Sequence, residues 1–175
     1  MTENPDNTQA TPRTILNVAY PQQGLHDLTG AQTVNSAATK AMHARGLPGY
    51  QRLTVSLAGG LVQTAEGLAV DTQPLSGFAV NGVDTLVVPG SPAIEQVVAE
   101  SAELIRWIAD HAHLARRTAS VCSGTFLLAE AGLLDGKRAA THWAMCERLG
   151  ARFPSIEVDN DALFVQQGSV WTSAG

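Results

Sequence analysis

The sequence predicts an α/β three-layer sandwich built on a mainly parallel central sheet. Three observations carry that prediction. Apolar, β-rich runs alternate with stretches of helical spacing along most of the chain. One run, 84–88 (DTLVV), turns continuously apolar between Gly82 and Pro89, the pattern of a strand covered on both faces. Of 175 residues, 45% are hydrophobic and 15% charged, which supplies one domain with a large core.

The elements follow in order. Residues 1–13 (MTENPDNTQATPR) are polar and lack an apolar h-region, so they read as a disordered lead-in and not as a signal peptide. The folded domain spans 14–175. Residues 14–20 (TILNVAY) form a strand ended by Pro21. A helix over 29–45 places Ala31, Val34, Ala38 and Met42 on one side and stops at Gly46, Pro48 and Gly49. A second strand covers 53–58, and 61–63 with 68–70 flank Glu66-Gly67 as a hairpin. After the strand at 84–88, Leu104, Ile105, Ile108 and Ala112 mark a helix over 101–117. A third core strand, 118–121, runs into Cys122. Residues 125–131 (TFLLAEA) are apolar nearly all round, as in a buried helix, with Gly132 as its stop. A strand at 138–141, a helix over 143–152 and short strands near 157, 163–166 and 170–173 complete the chain.

Charge and cysteine content narrow the function. Eleven Lys+Arg against sixteen Asp+Glu give a net charge of −5, which opposes a phosphate-coating surface. No apolar run is long enough to span a bilayer. Two cysteines, Cys122 and Cys146, make no disulfide framework and fit a reduced, cytoplasmic setting. No G-x-G-x-x-G follows a strand and no G-x-x-x-x-G-K-[ST] occurs, so no nucleotide cofactor is expected. His111 and His113 face different sides of a helix. His142 and Cys146 lack a third ligand, so no metal site is expected. Cys146 reads as helix packing, and Arg116-Arg117 as a helix-end charge pair.

The most informative segment is 118–128 (TASVCSGTFLL). A β-branched strand ends at Cys122, Ser123-Gly124 follows, and a buried helix begins: the pattern of a nucleophile elbow, with Gly124 letting the turn tighten. A helix N-terminus beneath Cys122 predicts a depressed thiol pKa. The other reading is a buried structural cysteine. Three further segments converge on the same crevice because each follows a core strand. Asp27, before the first helix, is either an N-cap or a carboxylate aimed at the thiol to handle a proton. Gly90-Ser91 is either a plain turn or a source of N–H groups for an oxyanion. His142 either orients a polar network or is a satisfied core histidine.

Residues 119–143 (ASVCSGTFLLAEAGLLDGKRAATHW) resemble the elbow region of PfpI/ThiJ-type proteins, in the class I glutamine amidotransferase-like superfamily with its flavodoxin-like fold. Segments 17–21 (NVAYP), 26–30, 84–90 (DTLVVPG) and 170–175 (VWTSAG) match in the same order. Within that superfamily, 151–175 is similar to the N-terminal sensor domain of GlxA-like transcription regulators of the AraC group.

The resemblance implies a domain that binds a small-molecule effector around Cys122, Ser123, Gly90, Ser91, Asp27 and His142. It also implies a homodimer, and DNA contact only through a helix-turn-helix domain absent from this chain. It further implies that the fold's last helix is missing and that the chain is C-terminally truncated. The alternative it offers is an isonitrile hydratase, with Cys122 attacking the isonitrile carbon and Asp27 managing proton transfer. Peptidase relatives place His directly after the elbow Cys; Ser123 stands there, so peptidase activity is not expected. The family's Gly-Gly after the third-strand Pro is Gly90-Ser91, and a positive φ at Ser91 would strain the turn.

Overall fold

The computed structural model describes residues 11–175. Among these residues ten strands and five helices follow in the order β1 (Arg13–Val18), α1 (Leu25–His43), β2 (Tyr50–Ser56), β3 (Gly60–Gln63), β4 (Ala69–Pro74), β5 (Thr85–Val88), α2 (Ile94–Glu100), α3 (Ala102–His111), β6 (Arg117–Ser120), α4 (Thr125–Glu130), β7 (Arg138–Ala139), α5 (Cys146–Arg152), β8 (Glu157–Val158), β9 (Phe164–Gln167) and β10 (Val170–Ser173).

Eight strands form one sheet in the order β3-β4-β2-β1-β5-β6-β10-β9. The interior pairs β4–β2, β2–β1, β1–β5, β5–β6 and β6–β10 are parallel; only the edge pairs β3–β4 and β10–β9 are antiparallel. Alternation along the central strands sends Leu16 and Val18 of β1, with Leu86 and Val88 of β5, into one core. There they meet Val97, Val98, Leu104 and Ile108 from α2 and α3, and Phe126, Leu127 and Leu128 from α4. α1 packs on β2, where Leu28 is its one fully buried residue. α4 is apolar all round because five of its six residues are buried.

The mainly parallel three-layer architecture is as the sequence predicts; several boundaries differ. Arg13 belongs to β1, whereas residues 1–10 of the expected lead-in lie outside the described residues. α1 starts four residues earlier than expected, at Leu25, with Gly24 as an N-cap that makes no side-chain bond. The expected helix over 101–117 ends at His111; a 3-10 turn (Ala112–Leu114) follows and Arg117 opens β6. α2 was not expected from the sequence. The strand at 138–141 shrinks to two residues that pair with β8 outside the main sheet. No helix among the described residues is long and apolar enough to cross a membrane.

Candidate functional site

The carboxyl ends of β1, β5 and β6 bring the predicted residues together. β6 runs into Cys122, which adopts φ = 57°. A non-glycine residue in this left-handed region stores strain, and the surroundings must hold it there. Hydroxyls do so. Thr141 Oγ1 donates to the Cys122 carbonyl at 3.0 Å, and Thr125 Oγ1 lies 3.4 Å from the same oxygen. Thr125 Oγ1 also pairs with Ser120 Oγ at 2.9 Å and reaches the Ala140 carbonyl at 2.9 Å. Two glycines let the loops close. A Cβ at Gly124 would lie 2.4 Å from the Val88 carbonyl oxygen and 2.6 Å from that of Pro89. One at Gly90 would lie 2.7 Å from both Ser123 N and Ser123 Oγ, and 2.8 Å from Asp27 Oδ2.

Asp27 sits in the first turn of α1, so it is not the N-cap. Its carboxylate accepts the Gly90 N–H at 3.0 Å, and the Cys122 thiol lies near enough to influence its protonation. Burial pushes its pKa up, opposed by the Gly90 N–H, the thiol and the charges of His26 and His142. Cys122 is half-buried and its pKa is raised as well. Desolvation is the main cause, followed by the negative charge of Asp27; the Ser123 N–H pulls the other way. The expected depressed thiol is therefore corrected: a 3-10 turn and a six-residue helix are outweighed by burial and a neighbouring carboxylate. Both groups therefore hold their protons more readily than they would in water.

Gly90-Ser91 is also fully occupied. The Gly90 N–H goes to Asp27, and the Ser91 N–H donates to Ser123 Oγ at 2.9 Å, which returns a bond to the Ser91 carbonyl at 2.8 Å. Ser91 does not adopt positive φ, so the expected strain is absent there. Both amides already have protein acceptors, so neither points at an open oxyanion position in this geometry. His142 is half-buried and accepts the Ala144 N–H on Nδ1 at 3.3 Å. It is neither a core histidine nor in hydrogen-bond contact with the thiol, but its charge reaches Asp27. Beside it Trp143 is 77% exposed, an aromatic wall at the rim. Cys146 is buried at the start of α5, as expected for packing.

Sequence reasoning missed three features. Tyr20, fully buried, donates its phenol to the Pro89 carbonyl at 2.5 Å and lies close enough to Asp27 and Cys122 for both charges to raise its pKa after burial. Gln22 takes φ = 66° in the turn after Pro21, where the Gln23 N–H bonds the Tyr20 carbonyl; proline followed by a positive φ was the available signal. Its carbonyl accepts Ser91 Oγ at 2.5 Å. At the opposite end of the sheet, Asp84 gathers Arg13, Arg116 and Arg117, which corrects the helix-end reading of Arg116-Arg117. Among the described residues no cluster of metal-binding side chains occurs.

A parallel sheet that lifts a cysteine on a strained strand-to-helix corner, against a carboxylate from the first loop, defines a cysteine-elbow α/β protein. The DJ-1/PfpI family model matches residues 30–175, and the chain belongs to that family. Asp27 lies just outside the matched span.

Among relatives, a Streptomyces lividans protein of the cpoL 5′ region is 36% identical over 152 residues, covering 83% of this chain and 99% of that one. The HTH-type transcriptional regulator GlxA of Rhizobium meliloti is 28% identical over 144 residues, 80% of this chain and 44% of that one. An isonitrile hydratase of Pseudomonas putida is 33% identical over 116 residues, 66% of this chain and 49% of that one. The chain thus spans less than half of the regulator and of the hydratase. Of solved structures, a ThiJ/PfpI family protein from Pseudomonas syringae aligns at TM-score 0.74 and 28% identity, covering 100% of this chain and 69% of that chain. An AraC family transcriptional regulator from Pseudomonas putida aligns at TM-score 0.73 and 22% identity, covering 94% and 84%.

Proposed function

We propose that the chain is the ligand-sensing domain of a GlxA-like, AraC-group transcription regulator. It binds a small metabolite at the rim formed by Cys122, Ser123, Asp27, Gly90, Ser91 and His142. In the same reading it works in the cytoplasm as a homodimer and reaches DNA only through a separate helix-turn-helix domain. The observation that carries the reading is the state of the site. Burial and the Asp27 charge push the thiol pKa up, and the Gly90 and Ser91 amides are committed to Asp27 and Ser123. A reactive cysteine needs the thiolate and open donors for developing charge. A recognition site needs only a shaped, polar rim. The regulator relative GlxA supports the same choice. Exposed Leu163 and Phe164, the latter stacked on Trp171, offer apolar surface for pairing two copies.

The proximity of Asp27 to the thiol favours one second reading, the hydratase. The Cys122 sulfur would bond to the isonitrile carbon while its proton, relayed through Asp27, goes to that carbon. Water would then add to the resulting thioimidate and expel the thiol, leaving an N-substituted formamide. The test incubates the protein with cyclohexyl isocyanide and follows formamide release. The sensor reading expects none above the no-protein control. Turnover that disappears in Cys122→Ser and Asp27→Asn would overturn it in favour of the enzyme.

A further inference from the structure

Away from the thiol, a cavity of about 690 Å3 opens between the turn after β1, the β2–β3 connection and helices α2 and α3. Its volume falls within the range of small-molecule sites. Buried Val62, Val97 and Leu104 line it, and apolar surface dominates the lining. Neither lysine, arginine nor histidine contributes to it, whereas Glu100 and Glu103 stand at its edge as exposed carboxylates. The cavity therefore combines an apolar body with two carboxylates at its edge, of which Glu100 accepts one hydrogen bond, from Gln96 Nε2 at 2.9 Å.

We propose that this cavity binds a small organic ammonium ion with an apolar body, its hydrocarbon part against Val62, Val97 and Leu104 and its charged head toward Glu100 and Glu103. Apolar contact supplies the attraction, and the two carboxylates select the sign of the ligand. The cavity shares one wall with the elbow. Gln22 lines it in the strained positive-φ turn, donates its N–H to the Gln63 carbonyl at 3.0 Å and holds Ser91 Oγ through its own carbonyl. Ser91 in turn holds Ser123, the neighbour of Cys122. A ligand in the cavity is thus one residue from the network that fixes the elbow.

The experiment is a methyl-labelled NMR titration with benzylammonium, benzyl alcohol and benzoate. Expected are saturable shifts at the Val62, Val97 and Leu104 methyls with benzylammonium, and at least tenfold weaker binding of benzoate. The double variant Glu100→Gln/Glu103→Gln should weaken benzylammonium about fivefold, to the level of benzyl alcohol, and both positions are exposed enough to leave the fold intact. Val97→Trp should fill the cavity and abolish the shifts. Benzoate binding as well as benzylammonium, no saturable shift, or shifts centred on Cys122 would each overturn the proposal. It stands apart from the sensor reading: isonitrile turnover would sink that reading and leave this one untouched, and the reverse holds for these shifts.

Discussion

Two aspartates at opposite ends of the sheet are treated in opposite ways. Asp84, 6% exposed, lies at the amino ends of the strands. Burial pushes its pKa up, but hydrogen bonds from Arg116 and Thr85 and the charges of Arg116 and Arg117 more than reverse this and hold it low. Arg116 makes two bonds to it, at 2.7 and 3.0 Å. Asp27, at the carboxyl ends, has a thiol and one backbone N–H, and burial wins. One end spends its carboxylate on cohesion. The other keeps a carboxylate whose proton is easily retained beside a sulfur, and its backbone is strained at Cys122 and Gln22.

The contrast breaks most severely at Gly124. The carboxyl end is closed by backbone packed on backbone, so Gly124→Ala sets a methyl against two carbonyls that cannot swing aside. Urea unfolding should show a loss of about 3 kcal/mol, the upper part of the overpacking range. Next comes Asp84→Ala, which removes the shared acceptor of the arginines; a loss of about 2 kcal/mol at pH 7 is expected from charged hydrogen bonds. Asp84 has a lowered folded pKa, so its stabilisation is present above the unfolded value and fades as pH falls through the folded one. The gap between wild type and Asp84→Ala should close in acid.

Much of the fold could be read from sequence because the central strands bury both faces, and such runs announce themselves. α2 escaped because it has only two turns and meets α3 directly at Ser101, which flanks both helices. The start of α1 was misplaced because Asp27 and Thr29 resemble capping residues, whereas Gly24 opens the helix with no side-chain signal. At the site, the convergence of Asp27, Gly90-Ser91 and Cys122 was expected because each segment follows a core strand. Their protonation and amide partners did not, because desolvation and cross-loop bonds exist only once distant segments meet. Pro21-Gln22 is an intermediate case: the turn was readable, its link to Ser91 was not.

Two smaller effects sharpen the comparison at the Asp27 end. Alkylation of Cys122 by iodoacetamide, followed by peptide mass spectrometry to separate it from Cys146, should show a pH midpoint above that of a free thiol. In Asp27→Asn that midpoint should fall, because one of its causes, the carboxylate charge, is gone. A midpoint unmoved by the substitution would remove Asp27 from the thiol's electrostatics. Smallest is the stability of Asp27→Asn itself. Asp27 has a raised folded pKa, so its favourable contribution is complete below the unfolded value and is lost as pH rises through the folded one. The amide keeps an acceptor for the Gly90 N–H, so thermal melts should place the variant slightly above wild type at pH 7 and level with it in acid.

β10 runs alongside β6 in the same direction, and Ser173 Oγ donates to the Ser120 carbonyl at 3.2 Å. For anyone building a biosensor from this scaffold, that fixes the attachment point. A fluorophore attached at Ser173 sits on the strand next to the one that leads into Cys122, at the same carboxyl end. One attached at Arg13 sits at the arginine pole, a six-residue strand of roughly 20 Å from the carboxyl end, and would register changes at Asp84 instead.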